Sequence, residues 1–289
     1  MPAGLRVLDP GPGLLVQDLG RAGWAHLGVP RSGAADRSGL ALANRLVGND
    51  EGAAGLEVLL GPVRLRAERS QRVAVAGAVS ELVVDGVSRP WGEAVSIPAG
   101  AELVLRPPSW GLRAYIAVGG GLEVDRVFGS AASDRLTGLG PPPLRAGDLL
   151  DVGQPGGEPS AAAAVPPRRS APVRLRVYLG PRDDWFTAQG VARLSSSAYV
   201  VTPRCDRVGV RLEAADGGRL DRRDDAELPS EGMVLGAVQV PPNGQPLIFL
   251  ADHPVTGGFP VIAVVDPDDL SRCGQLAPGD EVRFDRASG

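Results

Sequence analysis

Polar residues and glycines concentrate near the start of the chain in three places: 17–21 (QDLGR), 28–36 (GVPRSGAAD) and Asn44. A glycine-rich loop presents backbone N–H groups, and a neighbouring acid and arginine followed by a helix N-terminus are typical of an anion or carboxylate site. The same residues also fit a structural role, in which Asp18 pairs with Arg21 to hold a turn. Ser32 or Asp36 would then cap the helix. The residue types alone leave both alternatives open.

A second group of candidate residues lies near the end of the chain. Residues 252–258 (DHPVTGG) place an acid, the Thr256 hydroxyl and two glycines between two predicted strands. Binding residues gather in such loops, although the glycines could merely supply the positive φ of a turn. Arg207 could bind a carboxylate through its planar fork, or it could simply pair with the adjacent Asp206. Gln239, in a predicted strand, could bind an amide ligand or face solvent.

The basic residues exclude several kinds of enzyme. All 30 of them are arginine, and without lysine this chain holds no P-loop lysine, no Schiff base and no biotinyl-lysine. Its two cysteines and two histidines are Cys205, Cys273, His26 and His253. These four residues form no ligand-spaced motif, so we expect neither a disulfide framework nor a metal site. Cys205 has no neighbouring base and fits a small buried side chain better than a nucleophile.

The charge and hydropathy of the chain argue against nucleic-acid and membrane partners. The net charge is -4, and the arginines are dispersed rather than clustered with aromatic residues, which leaves no basic patch for nucleic acid. The longest apolar run, 259–265, is far shorter than the roughly 20 residues that span a membrane. Asp9 stands where a signal peptide needs apolar residues. We therefore expect a cytoplasmic protein with no nucleic acid and no membrane among its partners.

The elements that must position these residues are predicted to be mainly β. The 40 glycines and 27 prolines are scattered among 43% hydrophobic residues, a composition that favours a turn-rich β protein over a disordered one. Short β-rich runs occur on both sides of a stretch rich in alanine and proline. We predict an N-terminal subdomain at 1–152, a linker or exposed loop at 153–172 and a C-terminal subdomain at 173–289. Short helices are predicted at 36–47, 183–194 and 267–273.

Several short sequence motifs, in order along the chain, match the motifs of a known family. The first are QDLGR at 17–21, GVPRSGAAD at 28–36, ANRLVGN at 43–49 and LEVLLGP at 56–62. Later words are GGG at 119–121, DRVGVRL at 206–212, GAVQVP at 236–241 and DHPVTGGFP at 252–260. On these words, from 14 to 284, the chain resembles the family that forms the C component of 5-oxoprolinase. That family, also called KipA or allophanate hydrolase subunit 2, is related to part of the carboxyltransferase region of urea carboxylase.

The resemblance implies a fold of two cyclophilin-like β-barrel subdomains, with the ligand cleft where they meet. It also implies an ATP-dependent opening of 5-oxoproline, a small lactam, to glutamate. The partners would be the other two components of 5-oxoprolinase, a KipI-like B component and a LamB/YcsF-type A component. ATP would be used by the complex, and no P-loop or kinase-like loop in this chain indicates where it binds. No biotin is attached to this chain.

Opening a lactam requires stabilisation of negative charge on the amide oxygen and recognition of a carboxylate, two tasks that suit arginine. We therefore predict that Arg21, Arg207 and the loop at 252–258 converge on one cleft. The predicted catalytic residues are Asp18, Arg21, Arg207, Asp252 and Thr256. The predicted substrate-binding residues are Ser32, Asp36, Asn44, Glu57, Gln239, Gly257 and Gly258.

Two other functions remain open at this point. The first is a carboxyltransferase component that moves a carboxyl group from carboxybiotin to urea or a related amide. Biotin would then have to arrive on another polypeptide, because this chain has no lysine. The second is a non-enzymatic KipA-type regulator that binds a KipI-like partner without turnover.

Overall fold

A computed structural model describes residues 3–160, 163–167, 170–223, 226 and 228–287. These residues form two compact units. The first contains the described residues within Met1–Ala22 and Ser32–Arg168, and the second contains those within Gly23–Arg31 and Arg169–Gly289.

The described residues of the first unit form twelve strands. In chain order they are β1 (Ala3–Asp9), β2 (Leu14–Gln17), β3 (Gly55–Leu59), β4 (Val63–Ala67), β5 (Gln71–Val79), β6 (Leu82–Val84), β7 (Val87–Arg89), β8 (Val95–Ile97), β9 (Glu102–Leu105), β10 (Trp110–Val118), β11 (Leu122–Glu123) and β12 (Leu149–Val152). One sheet has the order β11-β12-β1-β4-β9-β6-β7, and the other has the order β2-β3-β10-β5-β8. All the strand pairs of both sheets are antiparallel.

The core of the first unit lies between these two sheets. In β4, Val63, Leu65 and Ala67 are buried while Arg64 and Arg66 are exposed, which is the alternation expected of a strand with one face in a core. Apolar residues from strands of both sheets belong to the same buried cluster. The two sheets therefore share one apolar layer.

Helix α1 (Arg37–Val47) lies between β2 and β3 in the chain and packs against β5 and β10. Its buried side chains include Leu40, Ala43 and Leu46. The Asp36 carboxylate accepts from Gly39 N, and Gly48 ends the helix at a φ of 82°, a conformation that glycine adopts without strain. The prediction of a helix at 36–47 is confirmed.

The second unit contains a closed barrel. Its described strands are β13 (Val173–Leu179), β14 (Tyr199–Val201), β15 (Gly209–Ala214), β16 (Glu231–Gly232), β17 (Ala237–Gln239), β18 (Leu247–Phe249), β19 (Thr256–Gly257), β20 (Val261–Val265) and β21 (Glu281–Arg286). The barrel has the order β13-β20-β17-β18-β15-β14-β21, while β16 and β19 form a separate two-stranded ladder. Only β13 and β21 pair in parallel among these described strands.

The remaining helices are short. They are α2 (Ala188–Ser196), α3 (Leu270–Cys273) and 3₁₀ turns at Ala25–Leu27, Asp183–Trp185 and Pro267–Asp269. The predicted helix at 183–194 is corrected, because its first turn is separate and Phe186 is extended and buried. The helix begins only after Thr187, whose hydroxyl accepts from Gly190 N. Among the described residues, no helix has the length and apolar character needed to cross a membrane.

The prediction of a mainly β fold with a few short helices is confirmed. The second unit closes into a seven-stranded barrel. In the first unit the strands form two separate sheets. None of the described strand pairs joins an edge strand of one sheet to an edge strand of the other, so the two sheets do not close into a barrel. The described residues of 153–172 contain no helix or strand and are mostly exposed, although Ser160 N and Ala164 N donate to Leu46 O and Gly92 O.

Candidate functional site

Asp18, in the loop after β2, is buried and ties two loops of the first unit together. Its carboxylate accepts from Gly20 N at 2.8 Å, from Ser130 Oγ at 2.6 Å and from Ala131 N at 2.7 Å. Its cationic partner is Arg126, at 3.5 Å. The turn-holding pair between Asp18 and Arg21 that the sequence suggests is therefore not formed, because these donors surround both carboxylate oxygens.

The Arg21 side chain is fully buried in the same unit. Its Nε donates to Val127 O at 3.3 Å and its Nη2 donates to Ala132 O. Its Nη1 lies 3.9 Å from Oδ2 of Asp134, which is also buried. This acidic partner of Arg21 is thus more than a hundred residues further along the chain, on the segment that Asp18 also contacts.

Gln17 and Ser32 meet on this segment as well. Gln17 Nε2 donates to Ser133 O at 2.9 Å, and Ser32 Oγ donates to the same oxygen at 3.1 Å. Ser32 has a φ of 52°, a strained conformation for a residue with a side chain. A Cβ on Gly33 would lie 2.7 Å from Gly20 N, so only glycine fits there. We call Gln17, Asp18, Arg21, Ser32, Ser130, Ser133 and Asp134 the loop cluster.

A buried network holds the start of α1, just beyond Ser32 in the chain. Tyr115 OH donates to Glu57 Oε2 at 2.8 Å and accepts from Asp36 N at 2.8 Å. Ala35 N also donates to Glu57 Oε2, while Arg113 Nε lies 3.6 Å from Oε1. Asp36 and Glu57 therefore fix the helix start behind the loop cluster, and their predicted contact with substrate stays a prediction.

Burial, reinforced by the negative charges of Glu57 and Asp36, raises the pKa of Tyr115 well above its ordinary value of 10. Folded Tyr115 keeps its proton at alkaline pH while the unfolded chain loses it, so the free energy of unfolding should fall as the pH rises above about 10. Tyr115→Phe should make that fall shallower. At about pH 8 it should cost about 1–3 kcal/mol, because two buried groups lose a partner.

Urea unfolding of both proteins at about pH 8 and about pH 10.5 measures this difference. Some of the fall should persist in the variant, because burial also raises the pKa of Tyr199. Equal slopes of stability against pH in the two proteins would contradict the expectation.

Asn44 is fully buried in α1 and braces the following loop. Its Nδ2 donates to Glu51 O and Ala53 O, and its Oδ1 accepts from Asn49 Nδ2. Asn49 in turn contacts the backbone of Gly120. All the polar atoms of the Asn44 side chain are thus used inside the protein, an arrangement that supports a structural role.

Arg207 and Asp252 form a buried two-pronged ion pair in the second unit. Arg207 Nε donates to Asp252 Oδ2 and Nη2 donates to Oδ1, both at 2.9 Å. Asp252 N also donates to Arg207 O. The Asp206 carboxylate accepts from the backbone of Val208 and Gly209. This two-pronged partner of Arg207 is 45 residues away along the chain.

The other predicted residues of the second unit lie around the β16–β19 ladder. Thr256 is exposed and pairs with Gly232 in this ladder. Gln239 is buried and its Nε2 donates to Phe259 O at 3.0 Å. A Cβ on Gly257 would lie 2.8 Å from Gln239 Nε2, so glycine allows this close packing, whereas Gly258 has more room.

The structure thus groups the predicted residues in two sets. Arg21 and its neighbours belong to the first unit, and Arg207 with the loop at 252–258 belongs to the second. Their convergence on one cleft stays a prediction. Ser133 and Asp134 are not among the predicted residues, and their one signal in the sequence is a polar SAASD stretch at 130–134 without a strand pattern.

Cys273 is buried, and His253 belongs to the loop at 252–258 of the second set. Burial raises the pKa of the Cys273 thiol to about 12, which keeps it protonated. His253 Nδ1 donates to Pro254 O. Among the described residues, no three His, Cys, Asp or Glu side chains come together as a metal site requires.

The first unit also contains an open pocket of about 450 Å³ at the edge of the loop cluster. Gly120, Gly121 and Arg126 are among its lining residues. Arg126 lies 3.5 Å from Asp18, so this pocket adjoins the cluster. Its volume is sufficient for a small polar molecule.

A family model described as "Carboxyltransferase domain, subdomain A and B" matches residues 27–286. The chain belongs to this carboxyltransferase family. The family's relatives include the Escherichia coli protein named as the C component of 5-oxoprolinase, 34% identical over 98% of this chain and 91% of that protein. The Haemophilus influenzae protein of the same name is 30% identical over the same shares.

Longer family members also match. The Saccharomyces cerevisiae urea amidolyase is 28% identical over 98% of this chain but only 16% of its own length. The crystal structure of Kluyveromyces lactis urea carboxylase superposes with a TM-score of 0.92 at 28% identity, over 99% of this chain and 28% of that one. The crystal structure of TTHA0988 superposes with a TM-score of 0.85 at 40% identity. The superposition covers 99% of the present chain and 56% of the TTHA0988 chain.

Proposed function

We propose that this chain is the C component of an ATP-dependent 5-oxoprolinase, which opens the lactam of 5-oxoproline to glutamate together with the A and B components. The observation that carries the proposal is the match to the Escherichia coli C component along 91% of that protein. A match of this extent leaves little of either protein unaligned.

The loop cluster supplies the chemistry that we propose for the amide group. A lactam resists hydrolysis because resonance stabilises its amide, so ring opening needs groups held in place around the amide as charge develops. Arg21 is fixed by Val127 O, Ala132 O and Asp134. Substrate would enter through the adjoining pocket lined by Arg126.

ATP and the partner proteins are part of this proposal. We propose a KipI-like B component and a LamB/YcsF-type A component as partners, with ATP consumed by the assembled complex. This chain has no lysine and so no P-loop. In this proposal, the residues of this chain bind and orient the lactam.

A second candidate function is carboxyl transfer from carboxybiotin to urea or a related amide. It is favoured by the TM-score of 0.92 to Kluyveromyces lactis urea carboxylase, over 99% of this chain. Biotin would have to be carried by a partner. The two functions share an amide-like acceptor, so the same loop cluster would serve either of them.

Reconstitution with the proteins encoded by neighbouring genes tests both functions. The full complex is expected to release ADP and glutamate from 5-oxoproline and ATP, whereas this chain alone releases neither. The control is the same mixture without this chain. Turnover of urea with carboxybiotin, and none of 5-oxoproline, would replace the proposed function by the second candidate. Binding of a KipI-like partner without any turnover would favour a regulator.

A further inference from the structure

Apart from Arg21, whose Nη1 faces Asp134, three buried side chains of the loop cluster carry a polar atom with no hydrogen-bond partner in the described part of the chain. They are Gln17 at Oε1, Ser133 at Oγ and Asp134 at Oδ2. The exposed fractions of these residues are 0%, 1% and 4%. Buried polar groups almost always have a partner, so three such atoms together indicate a place where another molecule binds.

The chemistry of the contacts fixes what each atom offers. Gln17 Nε2 faces Ser133 O at 2.9 Å, and a carbonyl oxygen only accepts, so the nitrogen must lie there. Gln17 Oε1 is therefore left as an acceptor. Asp134 Oδ1 accepts from Leu136 N and Thr137 N, and Oδ2 is also an acceptor. Ser133 Oγ can accept or donate.

The charges of the loop cluster are balanced once Arg126, which lies beside it, is counted. Asp18 lies beside Arg126 and Asp134 lies beside Arg21, so two carboxylates face two guanidinium groups. An anion would therefore gain little from the net charge, and two of the three available atoms would repel its oxygens. The surplus of acceptors favours an uncharged ligand that donates.

We infer that Gln17 Oε1, Asp134 Oδ2 and Ser133 Oγ surround the N–H group of an amide or lactam, that its hydrogen is donated to one of these acceptors, and that this contact selects the substrate. The cluster is then an N–H recognition site and not the carboxylate site that its glycines and arginine suggest in the sequence. The distance of 3.9 Å between Asp134 and Arg21 exceeds a direct hydrogen bond. It leaves Oδ2 able to accept from the substrate.

The inference rests on the proposed function in one respect, which is the choice of 5-oxoproline as the ligand for the binding experiment. Substituting the N–H by N-methyl keeps the ring and the carboxylate but removes the donor. Calorimetric titration of the full chain, alone and in the reconstituted complex, is expected to give at least tenfold tighter binding of 5-oxoproline than of its N-methyl derivative. Equal affinities would overturn the inference, as would the absence of binding of 5-oxoproline, urea and acetamide in both settings.

Ser133→Ala is the decisive variant, because it removes one of the three atoms without breaking a hydrogen bond within the described protein. Its stability is expected to equal that of the wild type, since loss of an unsatisfied buried hydroxyl is nearly neutral. Its affinity for 5-oxoproline should fall about tenfold, which is the effect of about 1.4 kcal/mol. Affinity for the N-methyl derivative should change less.

Ser80→Ala is the matched control. Ser80 follows β5 in the same unit, is 3% exposed and also has an unpartnered Oγ, but it lies outside the cluster. The Ser80→Ala variant should bind 5-oxoproline and its N-methyl derivative with the same affinities as the wild type. An affinity loss in Ser80→Ala equal to that in Ser133→Ala, or no loss in Ser133→Ala, would overturn the inference and leave a permanently buried water as the partner of Ser133.

The inference and the proposed function fail separately. Preference for N–H over N-methyl in urea or acetamide, without any binding of 5-oxoproline, would support the inference and reject the proposed function. Normal turnover of 5-oxoproline by a complex containing Ser133→Ala, with unchanged KM, would reject the inference alone.

Discussion

Asp252→Ala is expected to lower the free energy of unfolding by about 3–5 kcal/mol, because it breaks a buried, two-pronged ion pair. Asp252 is fully buried, and both its oxygens lie 2.9 Å from nitrogens of Arg207. The variant leaves a buried guanidinium without the carboxylate that matches its fork. Urea unfolding of the full chain, followed by tryptophan fluorescence, measures the loss.

The matched control is Asp285→Ala. Asp285 pairs with Arg174 at 2.6 Å in the same unit, but both side chains are well exposed to solvent. Exposed pairs contribute little to stability, so this variant should unfold close to the wild-type midpoint. Equal losses in Asp252→Ala and Asp285→Ala would mean that burial of the Arg207 pair is not what makes it important.

Arg21→Lys is expected to reduce the turnover of the reconstituted complex at least tenfold and to lower the free energy of unfolding by about 2–4 kcal/mol. A lysine ammonium keeps the charge but lacks the planar fork with which Arg21 contacts Val127 O, Ala132 O and Asp134. At least one buried carbonyl then loses its donor. Steady-state glutamate release and urea unfolding measure the two effects.

Arg45→Lys makes the same substitution on an exposed side chain of the same unit, which pairs with Glu51 at 3.1 Å. Its turnover and stability should remain those of the wild type. If Arg21→Lys loses stability while the folded complex keeps wild-type turnover, Arg21 is a structural residue and the role proposed for it is wrong.

Local sequence signals were sufficient for the secondary structure that lies around the candidate site. The apolar spacing and the flanking Asp36 and Gly48 predicted α1, because a helix is specified by its own periodicity and caps. The β-rich sequences VRLRVYL at 173–179 and VIAVV at 261–265 predict strands, and β13 and β20 form there. The helix predicted at 183–194 was misplaced at its start because the need to bury Phe186 overrides local propensity.

The ordered family motifs predicted more about the fold and the family of this chain than the hydrophobic periodicity did. They indicated a carboxyltransferase-related chain, and residues 27–286 match that family. Periodicity alone supported only two β-rich halves. It could not distinguish the closed barrel of the second unit from the two sheets of the first, because closure depends on which distant strand edges pair.

The sequence by itself determined which polar residues are available, where the turns fall and that the chain is mainly β. Only the tertiary structure decided the partners: Asp134 for Arg21, Asp252 for Arg207, and Ser133 for Gln17. These pairs are separated by 45 to 116 residues, whereas the acids nearest to the two arginines in sequence are Asp18 and Asp206. The physical reason is that the neighbours of a buried charge depend on how distant segments pack together, and local sequence does not specify that packing.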